Sequence, residues 1–274
     1  MIQDIAPSVF NNHFENFGAS DSDSGVYFEE GRLLCCYEDE KQELRFPLIS
    51  DFGDSESVYL FSIDNHKYFL VRGKTFLPSG FSFYDMKELR RFALKSNKEI
   101  FAAYSAYHLW KWYSANKFSG CCGKPTVLDT VERALICPDC GTKIYPRINP
   151  AVIIGIINGD KILITKYRTG YAHSALVAGF TEFGETLEQT VERESMEEVG
   201  LKVKNIRYYK SQPWGMAEDL LAGFYCEVDG DDSIKMDEGE LKYAEWVSRQ
   251  DIELQPSDYS LTNEMMKLFK SGGI

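Results

Sequence analysis

Three glutamates share one face of a predicted helix. Residues 186–199 contain no Gly or Pro and are rich in helix-forming residues, which predicts a single helix. Its mostly apolar stripe, at a spacing of four, is formed by Leu187, Val191, Ser195 and Val199. Glu194, Glu197 and Glu198 stand at i, i+3 and i+4, so their carboxylates lie side by side. Such oxygens suit a hard divalent cation, because Mg²⁺ binds one or two carboxylates together with substrate phosphates.

The flanking residues fit the same chemistry. Gly179 precedes the helix and suits a loop where the backbone approaches a metal ion or a phosphate, and Gly200 is placed to end the helix. Arg193 is positioned to brace the loop through Glu185. The simpler alternative is a solvated acidic helix face, because isolated groups of glutamates are common on protein surfaces.

The full spacing of this stretch argues against that alternative. It resembles the Nudix box, G-x5-E-x7-R-E-U-x-E-E-x-G-U, where U is an aliphatic residue. The matching positions are Gly179, Glu185, Arg193, Glu194, Glu197, Glu198, Gly200 and Leu201. Ser195 occupies the first aliphatic position, so we expect looser packing behind the helix and an unchanged set of metal ligands.

Composition limits the other classes of function. A chain of 274 residues with 44% hydrophobic content can form two domains with sizeable cores. The net charge of -12 disfavours non-specific binding to nucleic acid or to anionic membranes. The sequence shows no membrane-spanning apolar run and no basic segment before an apolar core at its start, so we expect a cytoplasmic location and no membrane partner.

Four segments follow one another in the predicted α+β fold. Residues 1–96 form a β-rich domain, 97–117 a bridging helix, 118–147 a zinc-ribbon-like segment and 148–274 the domain that carries the glutamates. Short β-rich runs in the first segment are typical of an antiparallel meander, and residues 84–96 are predicted to be helical.

Six of the seven cysteines form adjacent or C-x-x-C pairs and Cys226 stands alone, an odd number that indicates reduced thiols and a metal site rather than a disulfide framework. Cys137 and Cys140 form one half of a zinc ribbon, and Cys122 lies at a suitable distance for the other half. Ser119 occupies the position where the fourth cysteine is expected, and the neighbouring Cys121 is a candidate replacement. The alternatives are a structural Zn²⁺ site and a ribbon held by packing alone.

The overall layout resembles the NADH pyrophosphatase (NAD-capped RNA hydrolase) branch of the Nudix hydrolases. The features that carry this resemblance are the β-rich start, the cysteine ribbon, the Nudix box and the later motif SQPW at 211–214. It implies an α/β/α sandwich around a mixed sheet and hydrolysis of NAD(H) to nicotinamide mononucleotide and AMP with Mg²⁺ or Mn²⁺. It also implies a homodimer and, in some members, removal of NAD caps from RNA.

The resemblance also implies roles for individual residues. Metal ligands would be the backbone carbonyl of Ala178 and the side chains of Glu194, Glu198 and Glu240, with Glu197 as a further ligand or as the general base. Substrate contacts would come from Arg90 (or Arg91), Glu132, Tyr145, Phe180, Gln212, Trp214 and Thr262. Thr262 stands where the family often has a small alanine.

One departure concerns specificity. The family continues its SQPW motif with Pro-Phe-Pro, whereas Trp214 is followed here by residues 215–219, GMAED. We expect a more flexible and more acidic loop, which leaves the preferred dinucleotide open. The alternatives are a Nudix hydrolase of ADP-ribose, diadenosine polyphosphates or another nucleotide, a non-catalytic nucleotide sensor, and a ribbon-type RNA-binding protein.

Overall fold

The chain divides into two compact units. The structure, a computed structural model, describes residues 1–73, 77–169 and 173–274. The N-terminal unit contains residues 2–147 and 215–218, and the C-terminal unit contains Met1 and residues 148–214 and 219–274. The three predicted segments before residue 148 thus fall almost entirely within one unit. No helix in the described ranges is long and apolar enough to span a membrane.

The N-terminal unit consists mainly of short strands. Its strands are β1 (Phe10–Asn11), β2 (Ser24–Val26), β3 (Phe28–Glu29), β4 (Arg32–Glu38), β5 (Glu43–Arg45), β6 (Ser57–Ile63), β7 (His66–Val71), β8 (Ser82–Asp85), β9 (Val127–Leu128), β10 (Leu135–Ile136) and β11 (Lys143–Ile144); its helices are α1 (Met86–Leu89) and α2 (Lys98–Ala115). The sheet orders are β1-β6-β7-β2, β3-β4-β5 with β8 beside β4, and β11-β10-β9 for the ribbon segment.

Two expectations for this unit are wrong. The simple meander is excluded because β2 pairs in parallel with β7. The helix expected over 84–96 is replaced by β8 and the four-residue α1, because Tyr84 pairs with Leu33 in a sheet and Asp85 caps α1. This pairing across the fold overrides the local preference for helix. Helix α2, in contrast, confirms the helix predicted at 97–117, whose bridging role stays a prediction.

The C-terminal unit is built on one mixed sheet. Its strands are β12 (Asn149–Asn158), β13 (Lys161–Tyr167), β14 (Val177–Phe180), β15 (Val203–Trp214), β16 (Asp219–Val228) and β17 (Leu241–Ser248); its helices are α3 (Leu187–Val199) and α4 (Leu261–Lys270). The strand order is β15-β16-β12-β13-β17, with β14 also paired to β12. Strands β12 and β16 run parallel, and the other pairs are antiparallel.

Hydrophobic residues on both faces of β12 hold one helix on each side of the sheet. Val152 and Ile154 pack in one core with Val191 of α3. Ile153, which points to the opposite face, packs in a second core with Met265 of α4. Each such fully buried side chain contributes about 1.5–3 kcal/mol relative to an exposed one. The two cores confirm the predicted α/β/α sandwich.

Candidate active site

Helix α3 is fixed at both ends. The Thr186 hydroxyl accepts a hydrogen bond from the backbone N–H of Gln189 (3.2 Å), and the Gln189 side chain accepts one from the N–H of Thr186 (2.8 Å). At the other end Gly200 adopts a left-handed conformation (φ 71°) that lets the chain leave the helix. The glutamates between these caps are therefore carried by a well-defined backbone.

Arg193 connects the loop to the glutamates. Its Nε and Nη2 donate to the two carboxylate oxygens of Glu185 (2.6 and 3.0 Å), and Nη2 also donates to the carbonyl of Phe180 (2.9 Å). Its Nη1 donates to Glu194 (2.7 Å) and to Glu197 (2.9 Å). The expected brace between Arg193 and Glu185 is present. Hydrogen bonds from Arg193 hold the pKa of Glu185 near 2, so Glu185 stays ionised in this pair.

Glycine at position 179 gives Glu194 its place. A Cβ atom built on Gly179 would lie 2.0 Å from Cδ and from Oε1 of Glu194. No real side chain tolerates that distance, so the carboxyl group lies directly against the backbone of β14. Gly179 was expected in a loop but lies within strand β14, and the group that approaches its backbone is a carboxylate of α3.

Tyr167 at the end of β13 orients the most buried glutamate. Only 3% of Glu198 is exposed, and the Tyr167 hydroxyl lies 3.0 and 3.1 Å from its two oxygens. The same hydroxyl accepts a hydrogen bond from the N–H of Ala178 (3.1 Å) and lies 3.3 Å from the Ala178 carbonyl. The hydroxyl therefore links β13, β14 and α3 at one point.

The carboxylates affect one another electrostatically. Burial, reinforced by Glu194 and Glu240, raises the pKa of Glu198 to about 8. Burial also raises the pKa of Glu194, with smaller contributions from Glu197 and Glu240. The three predicted ligands are thus close enough to interact. Among the described residues, the carboxylate oxygens of these three glutamates do not all lie within 4.8 Å of one another. Their negative charges repel one another, and Arg193 hydrogen-bonds Glu194.

This donor set fits a divalent metal ion, as the resemblance to the Nudix hydrolases implies. Carboxylates and a backbone carbonyl are oxygen donors of the kind that Mg²⁺ and Mn²⁺ prefer. A buried carboxylate also carries a desolvation cost that a bound cation offsets. Glu194, Glu198, Glu240 and the carbonyl of Ala178 are the residues that would hold the ion.

The predicted substrate residues of the N-terminal unit lie at its surface. Tyr145, 53% exposed, donates a hydrogen bond to Glu132 (2.9 Å), and Lys143 pairs with the same carboxylate (2.7 Å). Arg90 ends helix α1 and is partly buried, whereas Arg91 is exposed. Their roles toward a substrate stay predictions.

The predicted substrate residues of the C-terminal unit differ in burial. Phe180 is 52% exposed, whereas Gln212 is fully buried. The Gln212 side chain donates to the Tyr259 carbonyl and accepts from the Leu261 N–H (both 2.7 Å), so it secures the start of α4. Trp214 ends β15 and Thr262 lies in the first turn of α4, both partly buried.

The loop after Trp214 is held firmly within the N-terminal unit. A Cβ atom on Gly215 would lie 2.0 Å from the carbonyl oxygen of Tyr104, so the loop backbone packs directly on α2. Glu218 is 6% exposed and pairs with Arg147 (2.8 Å) and Lys111 (3.7 Å). The loop was expected to be more flexible because it lacks the family's Pro-Phe-Pro segment, but the ion pairs of Glu218 take part in fixing it.

The ribbon segment brings three of the four predicted zinc ligands together. The sulfur atoms of Cys122, Cys137 and Cys140 lie within 4.8 Å of one another. Cys121 is exposed and is not part of this group. The arrangement is compatible with a metal site made largely of thiolates.

Tyr167, Lys111 and Arg147 were not singled out from the sequence, and Glu218 was noted only as part of the loop 215–219. Tyr167 is the last residue of the run KILITKY, and nothing in that run marks its hydroxyl as a partner of Glu198. Its place is set by the pairing of β13 in the sheet. Glu218 belongs to residues 215–219, where the sequence departs from the family motif. That departure marked the loop as unusual but did not predict the ion pairs of Glu218.

Comparison with known proteins agrees with this geometry. The NUDIX domain model matches residues 147–269. The protein described as "NAD-capped RNA hydrolase NudC" from Klebsiella pneumoniae (strain 342) is 39% identical over 189 residues, which cover 67% of this chain and 72% of that protein. The chain belongs to the NudC family of Nudix hydrolases. This NudC relative thus retains the family's acidic helix and braces it through Arg193 and Tyr167.

Other members of the NudC family give similar values. The protein of the same description from Citrobacter koseri is 41% identical over 162 residues, which are 58% of this chain and 62% of that protein. The match therefore spans less than two thirds of the length of that relative. A crystal structure of a NUDIX hydrolase from Nitrosomonas europaea is similar in fold, with a TM-score of 0.50, 23% identity, and coverage of 57% of this chain and 90% of that one.

Proposed function

We propose that the protein hydrolyses the diphosphate of NAD(H) to nicotinamide mononucleotide and AMP, and that it also acts on NAD-capped RNA. The observation that carries the catalytic part is the Nudix helix with Glu198 buried beside Tyr167 and Glu194 pressed against Gly179. The substrate is inferred from relatives whose description is "NAD-capped RNA hydrolase".

In this proposal Glu194, Glu198, Glu240 and the carbonyl of Ala178 hold Mg²⁺ or Mn²⁺. The ion, when bound, neutralises the diphosphate and makes water a better nucleophile. Tyr167 orients the Glu198 carboxylate. Arg193 holds the side chain of Glu194 and the backbone carbonyl of Phe180 at the end of β14.

Glu197 is proposed as the general base. Its side chain is 59% exposed and is held by Arg193 at 2.9 Å, so it can meet a water molecule and a substrate. The water oxygen attacks a phosphorus atom, the P–O bond of the anhydride breaks, and Glu197 accepts the proton of the water. Each turnover consumes one water molecule and yields two monophosphates.

Substrate recognition is proposed for the residues that the family resemblance implies. Phe180 and Trp214 offer aromatic faces on which adenine or nicotinamide can stack. Arg90, Glu132, Tyr145 and Thr262 are proposed to make further contacts, with Gln212 acting by fixing the start of α4. The active form is proposed to be a homodimer, and the proposed setting is the cytoplasm.

The test is chromatographic analysis of products. The protein is incubated with Mg²⁺ or Mn²⁺ and, separately, with NADH, NAD⁺, ADP-ribose, diadenosine compounds and a 5′-NAD-capped RNA. Release of nicotinamide mononucleotide and AMP, with faster turnover of NAD(H) than of the others, supports the proposal. Preferential cleavage of ADP-ribose or diadenosine compounds supports the alternative hydrolase, and no cleavage of any of them supports a nucleotide sensor.

Two variants of α3 make the assay specific. Glu198→Gln removes the buried carboxylate and should lower kcat by about 10²–10⁴-fold. Glu192→Gln changes an exposed glutamate of the same helix and should leave kcat unchanged. Wild-type turnover in the Glu198 variant would contradict the assignment of this site.

A further inference from the structure

The first turn of the ribbon segment has a regular backbone pattern. The N–H of Ser119 donates to the carbonyl of Lys124 (2.8 Å), and the N–H of Gly123 donates to the carbonyl of Ser119 (2.8 Å). Gly123 has a positive φ of 72°, and the backbone of Lys124 hydrogen-bonds the sulfur of Cys122. These contacts place the backbone of the turn around the sulfur atom of Cys122.

The second turn, residues 137–142, repeats the backbone pattern of the first turn, residues 119–124. The N–H of Cys137 donates to the carbonyl of Thr142 (3.0 Å), and the N–H of Gly141 donates to the carbonyl of Cys137 (2.9 Å). Gly141 has a φ of 73°, and the backbone of Thr142 hydrogen-bonds the sulfur of Cys140. The two turns are therefore equivalent, bond for bond.

The equivalence assigns each residue a counterpart. Cys122 corresponds to Cys140, and Ser119 corresponds to Cys137, which is the more buried sulfur of its turn. Cys121 corresponds to Asp139, a position that contributes no ligand in the second turn. The backbone thus places Ser119, and not Cys121, at the position of a fourth ligand beside Cys122, Cys137 and Cys140.

Side-chain positions agree with the backbone. Ser119 is 3% exposed, and its hydroxyl oxygen lies 3.4 Å from the sulfur of Cys140 and also hydrogen-bonds Cys122. Cys121 is exposed, and its backbone N–H donates to the Ser119 oxygen (3.2 Å). The other nearby hydroxyl, that of Thr142, lies 3.2 Å from Cys140 but corresponds to the side chain of Lys124 in the first turn.

We propose that Ser119 is the fourth ligand of a zinc site whose other ligands are Cys122, Cys137 and Cys140. The ribbon then binds Zn²⁺ through three sulfur atoms and one hydroxyl oxygen. Oxygen from a neutral hydroxyl is a weaker donor to Zn²⁺ than a thiolate, so this site holds the ion less tightly than a site with four thiolates. The inference is independent of the proposed hydrolase activity.

The experiment uses the reduced full-length chain with Co²⁺ in place of Zn²⁺. The sulfur-to-cobalt charge-transfer band is produced only by thiolate ligands, so Co²⁺ held by the glutamates does not contribute. Four variants are compared with the wild type: Ser119→Cys, Ser119→Ala, Cys121→Ser and Thr142→Val. Competition with a chelator measures the affinity of each for Zn²⁺, and circular dichroism checks the fold.

The proposal makes a distinct prediction for each variant. Ser119→Cys should intensify the charge-transfer band, because a fourth thiolate joins the site, and should tighten Zn²⁺ binding by about tenfold or more. Ser119→Ala should retain the band of three thiolates and weaken Zn²⁺ binding by about tenfold. Cys121→Ser and Thr142→Val should change neither quantity.

Three results would overturn the proposal. A loss of band intensity in Cys121→Ser would identify Cys121 as the ligand, and unchanged affinity in Ser119→Ala would show that the Ser119 hydroxyl does not bind the ion. Absence of a charge-transfer band in the wild type and in Ser119→Cys would show that the ribbon is held by packing alone.

Discussion

The carboxyl group of Glu194 lies against the backbone of Gly179, at a distance that only glycine permits. A Cβ at position 179 would be 2.0 Å from the carboxyl carbon of Glu194. Because Arg193 also holds Glu194 at 2.7 Å, the carboxylate is confined between β14 and the guanidinium. Glycine at the first position of the Nudix box therefore leaves the space that the carboxyl group of Glu194, fifteen residues later, occupies.

Gly179→Ala should inactivate the protein without unfolding it. The added methyl group displaces the Glu194 carboxylate, and misplacing a catalytic group by about 1 Å costs on the order of 10²-fold in rate. The measurement is kcat with NADH, together with thermal unfolding. Gly18→Ala is the matched control, because Gly18 has open space around its Cα. Equal turnover in both variants would show that the position of Glu194 does not matter.

Tyr167→Phe should weaken metal binding and lower stability, because Glu198 loses the hydroxyl that orients it. The hydroxyl contacts both oxygens of Glu198 and the backbone of Ala178, so its removal leaves the buried carboxylate without its orienting partner. We expect about a 10–100-fold loss of Mn²⁺ affinity and a loss of about 1–3 kcal/mol in the free energy of unfolding. Calorimetric titration with Mn²⁺ and urea unfolding measure the two effects. Tyr208→Phe, at an exposed tyrosine, should change neither.

Binding of a divalent ion should tighten as the pH rises toward 8. The pKa of Glu198 is raised to about 8, so the metal-free protein carries a proton there at neutral pH that must leave before the carboxylate can act as a ligand. Between pH 6 and pH 8 we expect the affinity for Mn²⁺ to rise by up to about tenfold per pH unit, with release of one proton. Calorimetry in buffers of different ionisation enthalpy measures that proton. A flat pH profile would contradict the link to Glu198.

The same group makes a second, opposite prediction for stability. The folded pKa of Glu198 lies above the ordinary value of 4.5, so between these values the metal-free folded state binds a proton that the unfolded state has lost. The contribution of Glu198 to stability is therefore fully present below about pH 4.5 and decreases as the pH rises to 8. Urea unfolding with a chelator present should show this decrease, and Glu198→Gln should remove it.

The sequence was sufficient to predict the elements that local patterns and a dense motif define. Helix α3 was predicted over 186–199 and is observed at Leu187–Val199, because its apolar stripe, its cap at Thr186 and its stop at Gly200 all agree. The short β8 and α1 were not predicted, because Tyr84 is drawn into a sheet by Leu33, some fifty residues away in the chain. The contact between Tyr167 and Glu198 could not be predicted either, because the pairing of β13 within the sheet determines where Tyr167 lies.

Ser195→Ala should stabilise the protein slightly. Ser195 is fully buried beside the α3 core, and its hydroxyl has no hydrogen-bond partner among the residues that the structure describes. Removing an unsatisfied buried hydroxyl should raise the free energy of unfolding by about 0.5–1 kcal/mol. Urea unfolding measures the change, and kcat should stay at the wild-type value. A destabilised variant would show that the hydroxyl is satisfied in solution, for example by water.

Glu218→Gln should loosen the loop that follows Trp214. Glu218 is nearly buried between Arg147 and Lys111, and a neutral amide leaves both cations without their carboxylate. We expect KM for NADH to rise by about 10-fold with a smaller change in kcat, because the loop is proposed to take part in substrate binding and contains none of the proposed metal ligands. Faster cleavage by a protease within 215–218 should accompany the change in KM. Glu253→Gln alters an exposed glutamate and is the control. If KM is unchanged while proteolysis accelerates, the loop is held by Glu218 but has no part in binding the dinucleotide.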